Sequence, residues 1–196
     1  MRRYLSILPA LLLVAIIGLA ALSGCAPSGS PVAPEVKLNR VEVVAYEALA
    51  KDFPTGYDPS RVGFFMLALI FDVTNPNGYP IQLEAARAAI DFEGAPGKWF
   101  AVGATSAYEQ QWIPANTTNQ LRLNALFTTR TTQLGLLVPG AHAPMLKELG
   151  MGWSDMLKKW WTEAPDLAFK IRVNGDMNFT SPQGTVTSTF SDVFPK

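Results

Sequence analysis

RVGFFMLALIFDVTNPNGYPIQL, residues 61–83, decides the fold. Ten of its residues, from Phe64 to Val73, are apolar but for Asp72, and the run ends abruptly at Asn75-Pro76-Asn77-Gly78. The period alone admits a buried helix. The glycine at its head, the aromatic and β-branched residues toward its tail and the turn that stops it favour a strand. A type I turn takes Asn at its first position, Pro at its second and Gly at its fourth, so Asn75, Pro76 and Gly78 suit one and Asn77 tolerates the third place. Pro80 then opens the next strand, where a missing N–H costs least. A phosphate loop would need more glycines, a lysine and a following helix, which this stretch lacks.

Working outward, the same grammar repeats. "VEVVAYEA" within 37–48 reads as a strand and "KDFPTGYDPS" (51–60) as a loop. Ile81, Leu83 and Ala85 alternate with polar residues, and the apolar phase shifts around Arg87, which hints at a bulge. "EGAPGK" (93–98) is a tight turn into "WFAVGATS" (99–106), and "WIPANTTNQ" (112–120) is a polar turn into the cleanly alternating "LRLNALFT" (121–128). "LAFKIRV" (167–173) alternates again, and "DMNFTSPQGTVTSTF" (176–190) reads as a hairpin around Ser181–Gly184. Short alternating strands with regular turns predict an antiparallel β-sandwich.

One segment departs from this. In "PMLKELGMGWSDMLKKWWTEA" (144–164), Leu146, Leu149, Trp153, Met156, Leu157, Trp160 and Ala164 recur at helical spacing. An amphipathic helix is expected there, firmest from Ser154 to Glu163, with Ser154 as its N-cap and a break at Gly150 or Gly152. The strand before the Asn-Pro-Asn-Gly corner is apolar on both faces, and a sandwich strand normally shows one polar face to water. A cover for the second face is therefore needed, and the helix is the obvious candidate. The alternative is that Trp153, Lys158, Lys159, Trp160 and Trp161 form a surface for a protein partner or the lipid interface.

The N-terminus is set apart from the fold. Arg2 and Arg3 precede an uncharged apolar run from Ile7 to Ala21, short for a spanning helix. Leu22-Ser23-Gly24-Cys25 follows, which resembles the bacterial lipoprotein box. That resemblance implies a signal peptide over 1–24, cleavage before Cys25 and diacylglycerol with further acylation, such as palmitate, at Cys25. Cys25 is the single cysteine of the chain, so no internal disulfide is available. Residues 25–35 then read as the lipidated cysteine and a Pro/Ser/Gly tether, and 36–196 as the folded domain with its helical insert at about 144–164.

"LIFDVTNPNGYPIQLEAARAAIDFEG", then "FAVGAT" and "IPANTTNQLRL", resemble the late embryogenesis abundant type 2 (LEA-2) family, the WHy domain. Asn75, Pro76 and Asn77 match its signature, as do Gly94, Gly103 and Pro114, and "FKIRVNGDMNF" resembles a late strand of it. The Trp-rich helix is a departure. The resemblance implies an immunoglobulin- or fibronectin-III-like sandwich, an association with stress tolerance and no catalysis.

Composition is globular, at 48% hydrophobic and 16% charged with zero formal net charge. Without Arg2 and Arg3, 14 basic side chains face 16 acidic ones, a formal charge of −2. No basic excess marks a nucleic-acid surface. His142, the single histidine, reads as a surface loop residue in "PGAHAP". Asp91 and Glu93 share a strand face and read as its wet side rather than as an acid–base pair. Asp52, Asp58 and Asp72 lack a calcium-loop spacing. The expectation is a non-catalytic lipoprotein of the bacterial cell envelope, facing out of the cytoplasm. It needs no metal or cofactor, has the membrane as partner through its lipid, and leaves room for a protein partner.

Overall fold

The structure is a computed structural model that describes residues 29–56, 58, 61–137, 140 and 142–196. The expected signal segment 1–24 and the expected lipidation site Cys25 lie outside the described residues.

Pro31–Lys196 form one compact unit, an antiparallel β-sandwich with a helical insert. Its strands are β1 (Glu35–Tyr46), β2 (Phe64–Thr74), β3 (Ile81–Ala95), β4 (Lys98–Ala107), β5 (Gln111–Ile113), β6 (Thr118–Thr128), β7 (Ile171–Ser181) and β8 (Gly184–Phe194). One sheet has the order β1-β2-β6 and the other β4-β3-β7-β8, with β5 pairing the start of β3. Two antiparallel sheets, of three and five strands, make up an immunoglobulin- or fibronectin-III-like sandwich. Between β6 and β7 come α1 (Thr129–Leu137), α2 (His142–Glu148), α3 (Trp153–Glu163) and a 3-10 turn at Ala164–Asp166.

The core lies between the sheets. Phe65, Leu67, Leu69, Phe71 and Val73 of β2 are buried, facing Ile81, Leu83, Ile90 and Phe92 of β3 and Ile171, Val173, Met177 and Phe179 of β7. The phase shift read from the sequence is real. The buried positions of β3 run Ile81, Leu83, Ala85 and then Ala86, Ala88, Ile90, with the register against β7 slipping between Leu83 and Ala85. An extra residue at this point is a β-bulge, and it flips the later side chains back onto the core face.

Three expectations are corrected in the insert. The helical region opens at Thr129, well before Pro144, while the break expected at Gly150 or Gly152 is present between α2 and α3. Gly152, not Ser154, is the N-cap of α3, and its N–H donates to Asp155 Oδ2 at 2.9 Å. Residues 167–170 are not strand. Leu167 sits at φ 50°, where the chain swings out of the 3-10 turn before β7 begins at Ile171.

The second face of β2 is not covered by the helix. Ala68 and Ile70 on that face are buried. Their cross-strand neighbours are Glu42 and Arg40 of β1 and Asn124 and Arg122 of β6. Arg40 Nε lies 2.7 Å from Glu42 Oε1, Arg122 Nη1 lies 3.6 Å from Glu42 Oε2, and Arg122 Nε donates to Asn124 Oδ1 at 3.2 Å. Long side chains bury their stems and keep their heads wet, so this charged lattice roofs the two small apolar residues. Further along, Met66 and Phe64 are only half-buried beside Leu126, which is 57% exposed.

Gly175 shows how closely the sheet is packed. A Cβ built there would stand 1.9 Å from the Arg87 carbonyl oxygen and 2.7 Å from Phe190 Cζ. The carbonyl belongs to the neighbouring strand and cannot give way. Gly175→Ala is expected to cost on the order of 3 kcal/mol or more, as overpacking against backbone does. Urea unfolding is the measurement, and an unchanged midpoint would contradict this packing.

Candidate functional site

The Asn-Pro-Asn-Gly corner and the helical insert occupy opposite ends of the sandwich. β2 runs between them, from Phe64 at the helical end to Thr74 beside the corner. Ten residue steps at about 3.3 Å each put roughly 33 Å between the two poles.

At the corner, Asn75 has no exposed surface and Asn77 is 6% exposed. The two N–H groups of Asn75 Nδ2 are shared among the carbonyls of Tyr79 (2.9 Å), Ile113 (3.2 Å) and Pro114 (3.0 Å). Its Oδ1 accepts from the Asn77 N–H and from Asn77 Nδ2, both at 2.9 Å. The expected type I turn is thus a bend closed through the Asn75 side chain, an Asx turn. Asn77 reaches the other way. Its Nδ2 donates to Val32 O, and its Oδ1 accepts from Val32 N–H, both at 2.9 Å. Two backbone bonds add the loop after β5: Asn75 N–H to Thr117 O at 2.9 Å, and Asn116 N–H to Asn77 O at 3.1 Å. Pro76 and Gly78 are exposed and only shape the bend. The signature residues therefore join three chain segments, and the side-chain amides of Asn75 and Asn77 are both engaged within the protein.

At the helical pole, Trp160 and Trp161 have no exposed surface. Trp161 meets Phe65 of one sheet edge-on at 4.7 Å between ring centroids. Trp160 meets Phe92 and Phe100 of the other at 5.5 and 5.6 Å, and its Nε1–H donates to Glu93 O at 3.1 Å. The Tyr46 hydroxyl donates to Trp161 O at 2.9 Å. The two tryptophans plug the open end of the core, so burial removes them from any docking or lipid-facing surface. Of the five residues of that candidate surface, Lys158 is exposed, and Trp153 and Lys159 are half-buried. Trp153 packs edge-on against Phe53, and Lys159 pairs with Glu163 at 2.6 Å. The structure does not bring the five together as one surface.

Four further candidate groups, His142, Asp91, Glu93 and Asp72, are engaged in structural contacts. His142 is buried rather than a surface residue. Its Nδ1 lies 2.8 Å from Gly135 O, and its Nε2 accepts from Ala101 N–H at 3.2 Å. That fixes the neutral tautomer with the proton on Nδ1 and ties α1 to β4. Asp91 Oδ2 accepts from Arg172 Nε and Nη2 at 2.8 and 2.7 Å, and the same guanidinium stacks 4.8 Å from the Trp99 ring centroid. Glu93 Oε1 accepts from Gly97 N–H at 2.9 Å and closes the β3–β4 turn. Asp72 accepts from Asn39 Nδ2 and Gln120 Nε2. Among the described residues no three His, Cys, Asp or Glu side chains cluster to hold a metal ion, and no helix is long and apolar enough to cross a membrane.

No protein-family model matches the chain, and no curated protein matches it. Solved structures do. The chain is similar to a structural-genomics target at 12% identity and TM-score 0.44, over 82% of this chain and 85% of that one. It is similar to a solution structure from Arabidopsis thaliana at 12% identity and TM-score 0.42, over 87% and 85%. It is also similar to a solution structure described as a late embryogenesis abundant (LEA) protein, at 13% identity and TM-score 0.26, over 98% and 86%. The fold itself rests on the sheet order and register given above.

Two contrasts test the poles. Asn75→Ala leaves the Ile113 carbonyl and the Asn77 N–H buried without this partner and removes the bonds to the Tyr79 and Pro114 carbonyls, and should cost about 3 kcal/mol or more. Gly78→Ala meets nothing within 4 Å and should stay within about 0.5 kcal/mol. Likewise Trp161→Ala should cost about 3–5 kcal/mol as a large core truncation, while Lys158→Ala on the exposed side of the same helix should stay within about 0.5 kcal/mol. Thermal and urea unfolding of the four variants decide both, and a mild Trp161→Ala would return that ring to the surface.

Proposed function

We propose that this chain is a LEA-2/WHy-type module carried on a bacterial lipoprotein, a non-catalytic binding or stress-protective component of the cell envelope. One observation carries the reading. The Asn75-Pro76-Asn77 signature, on which the family resemblance rests, is the buried joint that holds Val32, a short step in sequence from Cys25. The joint thus secures the domain to the segment that the lipoprotein box would anchor. The non-catalytic reading is in keeping with the structural use made of His142, of Asp91 Oδ2 and of Glu93 Oε1, which bond to Ala101 N–H, Arg172 and Gly97 N–H. Two or three acyl chains hold a protein firmly at a bilayer, at about 0.8 kcal/mol per buried methylene, whereas one chain is marginal.

A second reading, an adaptor for an envelope complex, is favoured by a specific feature. With the tryptophans interior, the exposed apolar side chains toward the helical end are Leu134 and Leu137 of α1 and a group on the β1-β2-β6 sheet. On that sheet Leu126 (57% exposed) is the cross-strand neighbour of the half-buried Met66, and Val44 (45%) stands next to Ala45, the partner of Met66 on β1. A contiguous exposed apolar patch is a common mark of protein contact.

Fractionation of cells expressing the full chain tests the anchor. The wild type should sit in the membrane fraction with an acyl mass on its N-terminal cysteine, and Cys25→Ser should move to the soluble fraction. A Cys25→Ser protein that stays on membranes would remove the lipoprotein reading. Native pull-down then separates the two roles. A stoichiometric partner lost on Leu126→Lys supports the adaptor. No such partner, together with less aggregation of a dried reporter enzyme, supports protection.

A further inference from the structure

Four segments meet at the pole that carries Asn75. They are the strap ahead of β1, the bend after β2, the β5–β6 loop and the β7–β8 turn. Asn77 binds the strap at Val32, Asn75 binds Ile113 and Pro114, and Thr180 before the last turn pairs with Gln82. A Cβ on Gly184 of that turn would stand 3.9 Å from Pro31. Residues 29–34, 73–83, 110–121 and 177–191 contain no Asp, Glu, Lys or Arg. The pole is therefore free of formal charge, and it exposes Val32 (60%) and Trp112 (56%) among prolines, amides and hydroxyls. The first charges met on entering the sheets from this side are Glu35, ion-paired with Lys37, together with Asp72, Glu84 and Glu109, which stands in the loop ahead of β5. The helical pole is the reverse, with Lys147, Glu148, Asp155, Lys158, Lys159 and Glu163 on its helices.

We propose that this charge-free pole is the membrane-facing surface of the protein and rests against the lipid headgroups, with the helical pole turned away from the bilayer. The inference rests on Cys25 being the lipid anchor. From Cys25 to Val32 there are seven residue steps, which span about 25 Å at full extension. Because Val32 is bonded to Asn77, the whole corner is held within that reach of the acyl chains. The helical pole stands about 33 Å further along the strands. An inverted pose, with the helices on the bilayer and the corner pointing away, would stretch the tether past its limit. The tether leaves end-on and side-on poses, and charge selects between them. Headgroup contact strips water from a surface, which is costly for an ion and slight for amides, prolines and an indole. Trp is moreover the residue type enriched at the bilayer interface. The sides carry Arg40, Glu42, Arg87 and Arg122, whereas the corner carries none.

The test uses the full acylated chain in vesicles of phosphatidylethanolamine and phosphatidylglycerol. Acylation occupies Cys25, so a fluorophore reacts only with an introduced thiol. Gly78→Cys labels the corner and Thr162→Cys labels the helical pole; both positions are exposed. A quencher on the lipid headgroup should dim the label at 78 at least about twofold more than the label at 162, given the separation of the poles. The double variant Trp112→Glu, Thr185→Glu, folded by its urea midpoint, should reduce that difference as the negatively charged corner is repelled from phosphatidylglycerol. Equal quenching at both positions, or stronger quenching at 162, overturns the orientation while leaving an acyl-dependent anchor intact. A chain that binds vesicles equally well as Cys25→Ser overturns the anchor and the orientation together.

Discussion

The Asn75 amide is the constraint on which one end of the molecule depends. A primary amide with no exposed surface must find partners inside the protein, because leaving it unpaired costs about 1–3 kcal/mol per group. Asn75 finds them on the bend after β2 and on the end of β5, and Asn77 extends the set to the strap ahead of β1. A backbone turn of the same shape would have closed only on itself. By routing its hydrogen bonds through side chains, the corner locks together loops that belong to both sheets. Pro76 and Gly78 allow the bend, but the asparagines give it cohesion.

The other end is held by a different physics. A sandwich open at its end would leave Phe65, Phe92 and Phe100 wet, and no strand is placed to cover them. α3 closes that end by driving two adjacent indoles into it. Adjacent residues on a helix point about 100° apart, so Trp160 and Trp161 reach different sheets, one toward Phe92 and Phe100 and the other toward Phe65. Trp160 also brings its N–H to a backbone carbonyl of β3, which a phenylalanine at that place would leave unbonded. The helix therefore packs between the sheets and not over the outer face of β2.

That distinction marks where the sequence was legible. Alternation exposed nearly every strand, because a strand with one wet face writes its orientation in period two. The bulge in β3 was visible for the same reason, as a phase shift read around Arg87 that the structure places at Ala85 and Ala86. α1 was not visible. Thr129–Leu137 is rich in threonine, which has modest helix propensity, and it carries no apolar stripe. Its start is marked only by Thr128, whose hydroxyl accepts from the Thr131 N–H. Residues 167–170 misled in the opposite way. Leu167 and Phe169 continue the alternation of β7 in sequence, but the chain is still turning out of the 3-10 segment there. The burial of His142 was illegible because its partners, Gly135 O and Ala101 N–H, are backbone groups that any residue supplies. Among the candidate site residues, the sequence identified the signature turn but not that both asparagines face inward. It left the tryptophans open because a period of 3.6 names a buried face without naming what buries it.

The two ends also differ in electrical character, and the reason lies in how each is held. The corner is knit by neutral amides and backbone groups, so nothing in its construction calls for an ion. The insert closes the sandwich with α3, an amphipathic helix whose wet face must carry charge to stay soluble, as Lys158, Lys159 and Glu163 do. A domain assembled this way has a polarity before any partner is considered. One pole tolerates close contact with a surface that strips away water, and the other prefers to remain hydrated. The strap at Val32 leaves from the first of these. Through the Asn77 clamp, the residues that close the sandwich and the residues that would orient it at a bilayer are the same.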